Sequence, residues 1–195
     1  MHHEEDITNF VKTGRNWYGE DFNRQPQRMF TNIISDLDTS ANVIFQSNIA
    51  ARASQTNGFD VTINNLFYLN HTCSGLSLAY DGIYADINYK TLTFKPNSNR
   101  FDINYSYTGP VAQGANGWLD FYTINARAFS KNAGKQILLS DKNAVANGNI
   151  AQYNFSTTRN LSIWDVSNPT QIFTIQGIFD VTTSQFNFAA NADSL

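Results

Sequence analysis

Phe101-Asp102-Ile103-Asn104-Tyr105-Ser106-Tyr107-Thr108 alternates without a break between an apolar or aromatic residue and a short polar one. A period of two puts the first set on one face of an extended strand and the second set on the other. The stretch therefore predicts a strand with one buried and one wet face. Phe59, Val61 and Ile63 against Asp60, Thr62 and Asn64 repeat the pattern. Asn64-Asn65 follows, two residues that tolerate positive φ, and the run Leu66 to Leu69 completes a predicted hairpin. Further turn chemistry falls at Asn57-Gly58, Asp81-Gly82, Asn97 to Asn99, Gly109-Pro110, Asn116-Gly117, Asn147-Gly148 and Asn168-Pro169. Many short strands punctuated this often predict an all-β chain, an antiparallel β-sandwich of jelly-roll-like type.

Outward from that core the pattern changes. Trp118 to Phe129 is apolar on both pleat faces, as a central strand covered on both sides would be, and its length predicts a bend or bulge. Ile33 to Ala41, with Ser35, Asp36, Asp38 and Ser40, reads as a loop, and so does Val111 to Asn116. Ser130 to Lys135 is polar, basic and contains a glycine, which makes it the best boundary. The expected organisation is an N-terminal arm (1–25), a β-sandwich (26–130), and a tail (131–195) that is either a second small β-module or a continuation of the sandwich. Six apolar runs mark that tail: Gln136 to Leu139, Ile150 to Phe155, Leu161 to Val166, Ile172 to Ile175, Phe179 to Thr182 and Phe186 to Ala189.

Composition narrows the function. Charged residues make up 15% of the 195, below the roughly 25% of ordinary soluble domains, and 67 Asn, Thr, Ser and Gln residues take their place. With 13 Lys plus Arg and a net charge of −3 there is no basic footprint for nucleic acid or anionic lipid. No apolar run approaches the roughly 20 residues of a membrane helix, so direct membrane insertion is not expected. The lone Cys73 excludes an internal disulfide and a cysteine-based zinc site.

Candidate chemistry is thin. Cys73 and His71 are two residues apart, too far along one strand face for the base to reach the sulfur. Paired acids such as Asp36 and Asp38, or Asp60 and Asp86, lack the spacing of a calcium loop and serve equally well as turn residues. No nucleophile elbow, phosphate loop or zinc-protease motif is present. No catalytic residue, metal ligand or cofactor is therefore assigned. Trp17, Tyr18, Tyr84, Tyr89 and Trp164 could form an aromatic platform for sugar rings, which keeps a stand-alone carbohydrate-binding or adhesion module as the alternative.

Three segments taken in order resemble one family. Gly14-Arg15-Asn16-Trp17-Tyr18-Gly19-Glu20-Asp21-Phe22, Gly117-Trp118-Leu119-Asp120-Phe121-Tyr122-Thr123-Ile124-Asn125-Ala126-Arg127 and Trp164-Asp165-Val166-Ser167-Asn168-Pro169 are similar to stretches of the type IX secretion system sortases of Bacteroidetes, the PorU-like, gingipain-type cysteine peptidases. Val43 to Ala53 fits between the first two. The resemblance implies an N-terminal, non-catalytic β-region of a longer protein, with the catalytic Cys and His in a peptidase domain beyond this chain. It also implies a place on the extracellular face of the outer membrane, and protein partners: the peptidase domain, secretion-system components or cargo. Trp17, Tyr18, Gly19, Glu20, Gly117, Leu119, Asp120, Trp164, Asp165 and Pro169 are expected to be structural. Trp17 and Tyr18 would pin the arm, and Asp120 would meet a backbone N–H, Arg127 or Arg52. Asp165 would build a turn with Asn168-Pro169. A scaffold of this kind should bury Trp17, Trp118 and Trp164, whereas a glycan binder should expose its aromatics in a row.

Overall fold

In a computed structural model that describes residues 1–12, 15–77, 79, 82–110, 114–129, 136–139 and 145–192, the alternating stretch becomes the strand Arg100–Tyr107. Phe101, Ile103 and Tyr105 are buried on one face, while Asp102, Asn104 and Ser106 lie on the other. Seven more strands join it in the first of two compact units, Met1–Ala128. In chain order they are β1 (His2–Glu4), β2 (Gln27–Ile33), β3 (Val43–Arg52), β4 (Asn57–Ile63), β5 (Phe67–Cys73), β6 (Asp86–Phe94), β7 (Arg100–Tyr107) and β8 (Asn116–Asn125).

They pair antiparallel in two four-stranded sheets, ordered β1-β8-β3-β6 and β2-β7-β4-β5. That order is the eight-strand jelly roll. Between the sheets lie Phe22, Phe45, Ile49, Phe59, Val61, Ile63, Phe101, Ile103 and Leu119, all essentially without exposed surface. Each such side chain contributes about 1.5–3 kcal/mol through burial. Asn64 and Asn65 take φ of 53° and 55° in the β4–β5 turn, and Leu66 N–H donates to Ile63 C=O at 3.0 Å. Leu66 thus belongs to the turn, and the strand begins one residue later than the sequence suggested.

Strand β8 explains the doubly apolar run. Asn48 pairs with Phe121 but its neighbour Ile49 pairs with Leu119, so Asp120 is an extra residue. This bulge reverses the parity of the strand. Leu119 faces the core before it, and Tyr122 and Ile124 face the core after it. On the opposite face Trp118 is buried by Tyr18, Ala50, Phe10 and Ala85.

The second unit, Phe129–Leu195, holds β9 (Ile150–Ser156), β10 (Ile163–Asp165), β11 (Phe173–Ile175), β12 (Ile178–Asp180) and β13 (Gln185–Asn191). These form a sheet ordered β12-β13-β9 and a β10-β11 hairpin. Phe155, Phe186 and Phe188 make its core, with Ile163, Ile175 and Leu139 packed against them. Gln136 to Leu139 contributes Leu139 to that core but forms no strand. The Ser130 to Lys135 boundary segment lies outside the described residues, and so does Gly14.

Candidate functional site

The outward face of the β1-β8-β3-β6 sheet is assembled in rungs by the register. Thr91, Gln46, Thr123 and His2 lie side by side across four strands, and Tyr89, Asn48, Phe121 and Glu4 form the next rung. Gln46 locks the first rung to the second. Its Oε1 accepts from Thr123 Oγ1 at 3.0 Å and Asn125 Nδ2 at 3.4 Å, while its Nε2 donates to the Tyr89 hydroxyl. Asn48 Nδ2 donates to Asp120 Oδ2 at 2.7 Å, and the Tyr89 and Phe121 rings lie 6.4 Å apart. Tyr89 remains 50% exposed. Partial burial, with repulsion from Glu4 and Asp6, raises the Asp120 carboxyl above the ordinary carboxylate range against the opposing pull of the Asn48 hydrogen bond.

The family-like residues of the first two segments meet at the same strand. Gly19 N–H donates to Leu119 C=O at 2.7 Å, Leu119 N–H to Glu20 C=O at 3.1 Å, and Phe22 N–H to Gly117 C=O at 2.9 Å. Asn116 Nδ2 donates to Asp21 Oδ2 at 2.9 Å. The approach is so close that a Cβ on Gly19 would sit 2.9 Å from Glu5 O and 3.3 Å from Leu119 O, while one on Gly117 would meet the Phe59 ring of the core at 2.5 Å. Glu20 is buried and accepts from His3 Nε2 at 2.7 Å, while the His3 ring stacks on Tyr122 at 4.9 Å.

Two expectations need correction here. Tyr18 is the aromatic that pins the arm: it exchanges backbone hydrogen bonds with Thr8, and Phe10 stacks on it at 4.3 Å. Trp17 is 42% exposed. Asp120 meets the Asn48 amide rather than a backbone N–H or an arginine, because the bulge swings it over β3. Arg52 instead lies over the Tyr84 ring at 4.4 Å. Phe10, Gln46 and Asn48 escaped the sequence reading, although Gln46 and Asn48 already stand at the polar positions of an alternating strand.

Trp164, Asp165 and Pro169 belong to the second unit. Asp165 Oδ1 accepts from Ser167 N at 3.0 Å, and the Asn168 side chain accepts from Thr170 N, so both residues build the turn before β11. Trp164 is 62% exposed opposite Thr174, contrary to the expected burial. Of the three indoles, Trp118 is the buried one.

The Cys73–His71 pair does not form. Cys73 Sγ is 3.7 Å from Asp86 C=O, and burial, with Asp86 nearby, pushes the thiol up to about 12. His71 Nδ1 lies 3.0 Å from Asn88 Oδ1 and Nε2 lies 3.1 Å from Ser47 Oγ, which in turn is 2.8 Å from the Tyr105 hydroxyl. Asn88 Nδ2 donates to Thr72 C=O, which turns Oδ1 toward the ring and fixes Nδ1 as the protonated nitrogen. Ser47, His71 and Asn88 thus follow the hydrogen-bond order of a hydrolase triad. Ser47 has no exposed surface, however, and the chain of bonds ties the two sheets together. Among the described residues no group of three or more His, Cys, Asp or Glu gathers as a metal site.

No family model matches the chain, and no curated protein matches it in sequence. Among solved structures, a carbohydrate-binding module of Cellvibrio japonicus Abf62 is similar at a TM-score of 0.38 and 10% identity over 65% of this chain and 88% of its own. The insecticidal delta-endotoxin Cry8Ea1 of Bacillus thuringiensis is similar at a TM-score of 0.40 and 13% identity over 55% of this chain and 19% of its own. The crystal structure of dimeric latent PorU from Porphyromonas gingivalis is similar at a TM-score of 0.75 and 16% identity. That match covers 99% of this chain and 18% of PorU, so the chain has, over nearly its whole length, the fold of a segment of a much longer protein.

Proposed function

We propose that this chain is the non-catalytic N-terminal β-region of a cell-surface, sortase-like cysteine peptidase of type IX secretion, and that it positions the peptidase domain or contacts cargo and secretion partners. The observation that carries the reading is the fold match to PorU across 99% of the chain. It is supported by the way the first two family-like segments zip together along β8. A buried, protonated thiol and a buried histidine engaged elsewhere supply no nucleophile and base.

The second unit has the surface of a contact module. Residues 145–192 contain three charged side chains, Arg159, Asp165 and Asp180. Trp164, Val166, Ile172, Phe173, Ile178 and Val181 are all exposed there. Low charge with exposed aromatics is the composition of interface cores rather than of free surface.

Two measurements test the reading. The native coding sequence should continue into a gingipain-type Cys–His domain; a stop without one sinks the proposal. The isolated chain should show no peptidase turnover, and turnover abolished by Cys73→Ala would overturn its non-catalytic assignment.

A further inference from the structure

We propose that the outward face of the β1-β8-β3-β6 sheet binds a neutral oligosaccharide, with the exposed Tyr89 ring, flanked by Phe121, as platform and with Gln46 and the Asn48-held Asp120 as the groups that engage sugar hydroxyls. The proposal is independent of the sortase reading, since it rests on one face of the first unit. Three observations carry it together.

The first is the half-exposed ring of Tyr89, with Phe121 beside it, Ile87 next to it along β6, and the polar Gln46, Asn48, Thr91 and Thr123 around them. Aromatic rings offer a flat apolar surface to the C–H face of a sugar, and the tyrosine keeps a polar tip. The second is preorganisation. Gln46 is held by Thr123 and Asn125 and itself holds the Tyr89 hydroxyl, so ring and amide are fixed before any ligand arrives. Amides both donate and accept, as sugar hydroxyls do, and Asp120, held by Asn48, adds an acceptor.

The third is charge. The two rungs contain no lysine or arginine, Glu4 stands at the β1 position of the second, and the bulge residue Asp120 lies over its Asn48. Anionic ligands such as phosphates, uronic acids and nucleic acids are therefore repelled, whereas an uncharged polyhydroxylated ligand is not. A protein partner would meet, beside the single exposed aliphatic neighbour Ile87, a lattice of threonine and amide groups already bonded to one another rather than the apolar cluster that interface hot spots need.

The test is titration of the whole 15N-labelled chain with cellohexaose, maltohexaose and mannohexaose, followed by NMR. At least one should give saturable shifts confined to Gln46, Asn48, Tyr89, Phe121 and their neighbours. Tyr89→Ala and, separately, Gln46→Ala should weaken that binding at least about tenfold, Tyr89→Phe, which keeps the ring but releases Gln46, should weaken it less than Tyr89→Ala, and Trp164→Ala should leave it unchanged. Thermal unfolding of each variant separates loss of binding from loss of fold. The proposal fails if none of the three sugars gives saturable shifts up to about 10 mM, if the shifts map elsewhere, or if binding survives in a folded Tyr89→Ala chain.

Discussion

His71 shows how one buried imidazole ties the sandwich together and makes it sensitive to acid. Burial depresses its pKa from 6.5 to about 4, and Lys90 adds to the depression against the Asn88 hydrogen bond. The unfolded chain therefore takes up a proton as pH falls through 6.5, while the folded chain resists until about 4. The contribution to stability is fully present above pH 6.5 and is lost progressively as pH falls toward 4, amounting to roughly 3 kcal/mol. Asp120 works in the opposite direction, because its raised pKa lets the folded state take a proton first. The His71 share is thus read as a difference: urea midpoints of the wild-type chain should drop between pH 7 and 4.5 more steeply than those of His71→Gln. Parallel slopes would show that His71 is not buried as a neutral ring. From sequence this residue was visible as the one internal histidine, but its partners Ser47 and Asn88, and Tyr105 beyond Ser47, come from three other strands, and no local spacing reports them.

At the level of elements, alternation was legible wherever one sheet face is dry and the other wet, as in β4 and β7. It failed at β8, because a bulge at Asp120 moves the core-facing set from odd to even positions within one strand. The length of the run signalled an irregularity; its place did not show, since Trp118 on the outer face is covered by an arm folded back from far away in sequence. Gly117, on the other face of the same strand, answers to the core. A methyl group there would press into the Phe59 and Tyr107 rings at 2.5 and 2.6 Å, both of which are held between the sheets. Gly117→Ala should destabilise the chain by about 1–3 kcal/mol, the usual cost of overpacking. Equilibrium denaturation measures it, and a change below the scatter of ordinary surface substitutions would mean that the rings yield freely.

For the whole molecule, the low charge of the sequence has a structural address. Asn64, Asn65 and Asn168 build turns, while Thr31, Thr62, Asn70 and Asn104 fill the wet face of the second sheet, where Asp60 and Asp102 are held by Asn70, Thr31 and Arg100. Composition could therefore announce many turns and wet strands, but not how the cores are divided. That division sets the last expectation. Residues 1–128 enclose a large two-sheet core and should unfold in one cooperative transition when expressed as a separate chain. Residues 129–195 gather three buried phenylalanines, and a domain of about 60 residues stands near the lower limit of independent stability. Expressed separately, that unit should show a broad, low-temperature transition or none. Calorimetry of the two pieces decides the matter: a sharp, high-temperature transition of the smaller piece would mean that its core reaches beyond Phe155, Phe186 and Phe188, and failure of the larger piece to fold would mean that the jelly roll is not self-sufficient.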